Sequence, residues 1–165
     1  MKNHRVMKTK KTLFLLVLLA GLTNCQKDDN LNANHKIIFC NAENPRKIIA
    51  NYNDIIGYDS TKYIFRVDES AWEKIRNQAT FDPPYFKLGV VWDKQMIYKA
   101  TYIPGYVSTG YYDIITFMPG VPDLIYMILG YPGSTAEYFS GEDLRNDSRL
   151  INQFKKDNKL IDIKE

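Results

Sequence analysis

The stretch Tyr85-Phe86-Lys87-Leu88-Gly89-Val90-Val91-Trp92, followed by Asp93-Lys94-Gln95 and then Met96-Ile97-Tyr98-Lys99-Ala100-Thr101-Tyr102-Ile103, decides the fold class. Two runs rich in β-branched and aromatic residues flank a short polar turn, the pattern of a β-hairpin. Two further strand-like runs follow, Tyr111 to Met118 and Leu124 to Tyr131, separated by Pro119-Gly120-Val121-Pro122-Asp123. Pro104-Gly105 and Pro132-Gly133 punctuate the series. Short links between strands imply antiparallel neighbours.

Working outward, the upstream half is more mixed. Lys36 to Cys40 reads as a short strand. Lys47 to Ile56 is ambiguous, with Ile48-Ile49 and Ile55-Ile56 as buried pairs. Gly57-Tyr58-Asp59-Ser60 reads as a turn. Tyr63, Phe65 and Val67 alternate with Ile64 and Arg66, which predicts a half-buried strand. Ser70 and Glu73 have capping-box spacing and open a helix that turns Trp72 and Ile75 inward; Asp82-Pro83-Pro84 ends it. Downstream, Asp147 to Lys156 places Leu150, Ile151 and Phe154 at helical spacing, and Leu160 to Ile163 reads as a short edge strand. The expected fold is α+β: a mostly antiparallel sheet of about five or six strands with two helices on one face. It follows an N-terminal signal and a flexible tether.

Composition agrees with a folded domain. The chain has 165 residues, 45% of them hydrophobic and 13% aromatic. Disorder requires lower hydrophobicity and higher net charge. Residues 35–165 read as one domain, because no internal Gly-, Ser- or Pro-rich run marks a second boundary.

The first residues have a different character. Lys2, Arg5, Lys8, Lys10 and Lys11 precede the apolar run Leu13 to Ala20. That run is short for a bilayer span, which takes about 20 residues, and reads as an export signal over residues 1–24. Leu22-Thr23-Asn24-Cys25 resembles the lipobox of bacterial lipoproteins, with Asn24 where that family has a small residue. The resemblance implies lipidation of Cys25, which becomes the anchored N-terminus. Gln26-Lys27-Asp28-Asp29 resembles the surface-export tag of Bacteroidota lipoproteins. Residues 25–34 are then a lipid anchor and polar tether. The implied location is the bacterial outer membrane, facing the exterior or, alternatively, the periplasm.

Removing this leader takes the 22 basic residues to 17 and leaves the 19 acidic ones untouched. The remaining domain is slightly acidic, so its charge makes no case for nucleic acid. His35 is the one histidine left in it, and it lies ten residues from Cys25, next to the tether. A Ser-His-Asp or Cys-His device has no other base to use. Cys40, with Cys25 lipidated, has no disulfide partner and reads as a small buried hydrophobe. His35 with Cys40 falls short of a zinc ligand set. No phosphate-binding loop, zinc-protease motif or nucleophile elbow occurs. Neither metal nor cofactor is expected.

Tyrosine is the most distinctive feature of the composition, with 12 residues. Tyr98, Tyr102, Tyr106, Tyr111 and Tyr112 cluster around one turn that also holds Ser108 and Thr109. Tyrosine pairs a flat apolar face with a polar tip and gives contact area at low entropic cost. Tyr102, Tyr106, Ser108, Tyr111 and Tyr112 are therefore the candidate ligand-binding residues. Packing of a half-buried sheet accounts for aromatics equally well. Alternation puts Tyr98 and Tyr102 on one face with Met96 and Ala100, and Ile97, Lys99, Thr101 and Ile103 on the other.

Other signals are local. Glu142, Asp143 and Asp147 precede the last helix, where acids complement its dipole, and Arg145 and Arg149 are expected to pair with them. Asp59-Ser60-Thr61 resembles the O-glycosylation acceptor of Bacteroidota and is equally good turn chemistry. Ile128 to Gly133, Asp143 to Asp147 and Lys159-Leu160 resemble small exported bacterial proteins, a resemblance that implies no activity.

The expected function is a non-catalytic binding module, anchored to the outer membrane through lipid on Cys25, for a protein or glycan at the cell envelope. The alternative is a structural, assembly, immunity or inhibitor subunit of an envelope complex. A third reading is a hydrolase using carboxylates such as Asp113, Asp123 or Asp143.

Overall fold

The computed structural model describes residues 37–81 and 86–164, all within the second of the chain's two units, His35–Glu165. The expected signal, Cys25, the tether and His35 lie outside the described residues. In chain order the elements are β1 (Ile37–Asn41), β2 (Asn44–Ala50), a 3-10 turn (Tyr52–Asp54), β3 (Ile55–Asp59), β4 (Ile64–Val67) and helix α1 (Glu69–Phe81). Then come β5 (Lys87–Trp92), β6 (Gln95–Tyr102), β7 (Tyr111–Pro119), β8 (Leu124–Tyr131), a second 3-10 turn (Gly133–Tyr138) and helix α2 (Ser148–Lys156).

The fold is α+β, with two helices among the described residues, and the sheet is larger than the sequence predicted. It has eight strands in the order β2-β1-β5-β6-β7-β8-β4-β3, and it is mixed. The hairpin β5–β6 is as expected, closed by Asp93 and Lys94 at φ 47° and 69°, the backbone that a two-residue hairpin turn demands. The expected antiparallel link from β6 to β7 is overturned. They run parallel, with Ala100, Tyr102 and their neighbour Thr101 opposite Ile115, Phe117 and Thr116. Parallel strands ordinarily need a long crossover. Here the irregular segment Ile103 to Gly110 suffices, because it returns only about 20 Å along the sheet. Three residue pairs are all that this connection permits.

Two strands were hidden in the ambiguous stretch Lys47 to Ile56, which contains most of β2 and the start of β3. The expected turn at Gly57 to Ser60 begins later, since β3 continues to Asp59. The chain needs Gly57 for another reason: a Cβ there would lie 2.7 Å from Ile161. The expected edge strand at Leu160 to Ile163 is reduced to a single parallel bridge, Tyr58 to Leu160. Helix α1 starts one residue before Ser70, and Asp68 caps it by accepting the Ala71 N–H at 2.7 Å. Its carboxylate supplies the charge that a helix N-terminus favours.

The first and last strands of the sheet, β2 and β3, are joined by Asn51–Asp54, so the sheet must curl. Its concave side is the core. Phe39 of β1 meets Phe65 of β4 edge-on at 5.0 Å, although four strands lie between them in the sheet order. Phe65 stacks on Tyr58 at 4.3 Å, and Phe154 of α2 reaches Tyr52, Tyr58 and Phe65 within 6.0 Å. Trp72 and Ile75 of α1 enter the same core. Both helices thus bury their apolar faces on one side of the sheet, and burial of such side chains is the main stabilising term.

Register corrects one expected face. A bulge in the β5–β6 pairing puts Tyr98 opposite Val90 but Met96 opposite Val91. One inserted residue reverses the alternation. Met96 therefore lies on the outer face over Gly89, beside the Cys40 sulfur, whereas Ile97 joins the core with Tyr98 and Ala100. Cys40 is fully buried there, and burial pushes its thiol pKa up, in keeping with an unreactive hydrophobe.

Candidate functional site

The short parallel pairing has a local consequence. Before Ala100 and Ile115 no ladder joins β6 to β7, and the two strands part. The opening is a cleft of about 360 Å³ lined by Tyr98 and Lys99 from β6 and by Asp113 and Ile114 from β7. Phe139, Glu142 and Leu144 form its remaining wall. Their segment is pinned to the start of β7, where the Ser140 N–H donates to the Tyr112 carbonyl at 2.8 Å. Gly141 makes this approach possible, because a Cβ there would come within 2.9 Å of the Asp113 carbonyl oxygen.

Beneath the cleft the same segment is fixed. Arg145, 7% exposed, donates to both oxygens of Asp143 at 2.9 and 2.8 Å and to the Met127 carbonyl at 3.1 Å. Its guanidinium lies 3.5 Å from the Tyr63 ring centre. These hydrogen bonds hold the Asp143 carboxyl below its usual pKa against the opposing effect of burial. The Tyr58 hydroxyl donates to the Arg145 carbonyl at 3.0 Å. Asp147 caps α2 by accepting the Arg149 N–H at 2.9 Å and pairs with its side chain at 2.8 Å. The expected pairing of the arginines with these acids is present, at a spacing of two residues rather than a helical turn.

The charges in the cleft differ. Lys87 at its edge pairs with Glu43 at 2.8 Å. Among the described residues no hydrogen bond or ion pair engages the side chains of Lys99, Asp113 or Glu142. The Tyr98 hydroxyl in the wall is buried without a partner, and burial raises its pKa far above the usual phenol value. It is a neutral group at any physiological pH.

None of the candidates Tyr102, Tyr106, Ser108, Tyr111 and Tyr112 is among the residues that line this opening. Tyr106 is 82% exposed and Tyr112 47% exposed, and Ser108 is exposed between them. Tyr112 folds back over Gly110. Tyr111 is half-buried and pairs across the sheet with Tyr131, whose hydroxyl donates to the Val107 carbonyl at 3.0 Å and anchors the loop. Tyr102 is turned to the core side and packs on Phe117 at 5.8 Å. The sequence reading missed Tyr138, 66% exposed beside the cleft residue Phe139. It missed the cleft itself, because Lys99 and Asp113 both line an opening that only the parallel register creates, and nothing local announces that register.

Of the carboxylates considered for hydrolysis, Asp143 is engaged by Arg145 and Asp123 lies 3.5 Å from Arg66; Asp113 and Glu142 share the cleft. Among the described residues no group of three or more His, Cys, Asp or Glu side chains is arranged to hold a metal. No helix among them is long and apolar enough to cross a membrane. No protein-family model, no curated protein and no solved structure matches this chain.

Proposed function

We propose that this chain is a lipid-anchored, non-catalytic binding module of the bacterial outer membrane, presenting the β6–β7 cleft to a protein or glycan of the envelope. The anchor rests on the signal-like leader and Leu22-Thr23-Asn24-Cys25. The binding role rests on one observation: Tyr106, Ser108 and Tyr112 are exposed along one edge of the connection from β6 to β7, the two strands between which a cleft opens. Large aromatics left in water gain contact area when a ligand covers them, at little entropic cost. Tyr111, Ser108 and Tyr102 frame this edge, Tyr102 from the core side.

The test is capture of solubilised bacterial envelope on the immobilised full chain, beside the double variant Tyr106→Ala, Tyr112→Ala. Protein or carbohydrate held by the parent and lost by an equally stable variant supports the reading. Identical retention by both overturns it. Incorporation of a fatty-acid analogue that disappears in Cys25→Ser tests the anchor separately.

A further inference from the structure

We infer that the partner at the β6–β7 cleft is an extended protein segment that pairs with the open edge of β6 and seats a tyrosine side chain in the cleft; this rests on the binding-module reading above and narrows it to a protein. The strand edge is the first reason. No ladder joins residues 95–98 to β7, and among the described residues no backbone hydrogen bond ties them to residues 139–144. Strand β5 holds the other edge of this stretch. A short run of main-chain donors and acceptors is therefore left on the cleft side. An open edge is a template for a further strand, and a polypeptide supplies that main-chain pairing where a sugar or a lipid does not.

The lining changes with depth. Tyr98 and Ile115 are buried, and Ile114, Phe139 and Leu144 are half-buried, whereas Lys99, Asp113 and Glu142 are exposed. The interior is thus mostly apolar and the free charges stay in water at the rim, which is how a pocket for one anchoring side chain is built. Its volume of about 360 Å³ is ample for a single aromatic ring. One polar atom of the lining is out of place: the Tyr98 hydroxyl is buried with no partner. Such a group is costly, and an anchoring phenol brings a hydroxyl that both donates and accepts. Phenylalanine or leucine in the same place would leave Tyr98 unpaired. At the rim Lys87 is neutralised by Glu43. The unengaged charges are then two carboxylates, Asp113 and Glu142, and one ammonium, Lys99. Basic residues beside the anchor complement that excess and acidic ones do not.

The experiment is surface plasmon resonance on the full chain in lipid nanodiscs. The probe is acetyl-Thr-Lys-Tyr-Lys-Thr-amide. Its comparisons carry phenylalanine or alanine for the tyrosine, or glutamate for both lysines, and an N-acetylglucosamine tetrasaccharide is the non-peptide control. The tyrosine probe is expected to bind with a Kd of about 1 mM or tighter. The alanine version should bind about tenfold more weakly and the glutamate version about threefold. Methylating alternate backbone nitrogens should abolish binding for one of the two alternating sets, since only one set points at β6. Tyr98→Phe should weaken the tyrosine probe about fivefold and leave the phenylalanine version unchanged. Unchanged thermal unfolding of that variant excludes loss of fold as the cause. Equal binding of the tyrosine and alanine versions, indifference to methylation, or an equal effect of Tyr98→Phe on both aromatic probes overturns the inference. Binding of the tetrasaccharide alone overturns it in favour of a glycan. If no probe binds but envelope capture still depends on Tyr106 and Tyr112, the anchoring strand fails and the binding module stands. If capture fails too, both fall.

Discussion

At the β3–β4 end of the sheet the polar groups are engaged within the protein; in the cleft at its middle, between β6 and β7, the side chains of Lys99, Asp113 and Glu142 are not. Asp59, 1% exposed, accepts from the Thr61 N–H and hydroxyl, the Lys62 N–H and the Ile163 N–H. Lys159 donates to the Tyr52 and Ile55 carbonyls and sits 4.2 Å from the Tyr52 ring centre. The Tyr52 hydroxyl donates to Asp157 at 2.8 Å. These contacts tie the C-terminal segment and α2 across the junction of β2 and β3. In the lining of the cleft, the side chains of Lys99, Asp113 and Glu142 face water instead. Buried polar groups without partners are costly, so an engaged cluster serves cohesion. An exposed one serves contact with something else, and the comparison assigns different roles to similar residues.

The largest expected effect lies at the engaged end. Phe154→Ala should destabilise the domain by about 4 kcal/mol, since the side chain is fully buried among three aromatic rings and its removal leaves a cavity. Urea unfolding measures this; a loss below about 1 kcal/mol would mean that α2 is not part of the cooperative core.

Next comes Asp59→Ala, at about 3 kcal/mol, because four donors lose a charged acceptor. The same group sets a pH dependence. Burial alone would raise its pKa, but the hydrogen bonds hold it at about 2 against an ordinary 3.8. A depressed carboxylate stabilises fully above its unfolded value and loses that contribution as pH falls through the folded one. Stability of the parent should therefore drop by roughly 2 kcal/mol between about pH 5 and pH 1 on account of Asp59. Asp59→Asn should flatten that part of the stability–pH curve. An unchanged slope would place the titrating group elsewhere.

Gly57→Ala is expected to cost about 1 kcal/mol, as Ile161 gives way to the new Cβ. Denaturation together with hydrogen exchange at Ile161 and Ile163 would register loosening of the C-terminal segment. The smallest effect on stability belongs to the exposed tyrosines. Tyr106→Ala and Tyr112→Ala should each shift unfolding by less than about 0.5 kcal/mol while reducing ligand retention. A loss above about 2 kcal/mol for either would erase the contrast and return that tyrosine to the packing of the sheet.

Much of the fold was legible locally. Strands β4 to β8 and both helices announced themselves through alternation, helical spacing and Pro-Gly punctuation. Strand β2 did not, because Asn44 to Lys47 lies exposed at the sheet edge and carries Pro45, Arg46 and Lys47. Such residues keep an edge from pairing with other chains and also remove the strand signal. Of the candidate ligand-binding residues, Tyr106, Ser108 and Tyr112 are exposed. The inward turn of Tyr102 followed from the expected pairing with Ala100 on one face, whereas Met96 escaped that face through a bulge.

The sequence by itself determined the α+β class, the hairpin, the apolar faces of the two helices and the burial of Cys40. Those properties depend on side-chain periodicity and turn chemistry within a few residues. The tertiary structure alone decided the parallel β6–β7 register, the curling of the sheet onto Phe39 and Phe65, and the cleft joining Lys99, Asp113 and Glu142. Each brings together residues far apart in the chain. Their partner is selected by the packing of the whole sheet, to which no local pattern refers.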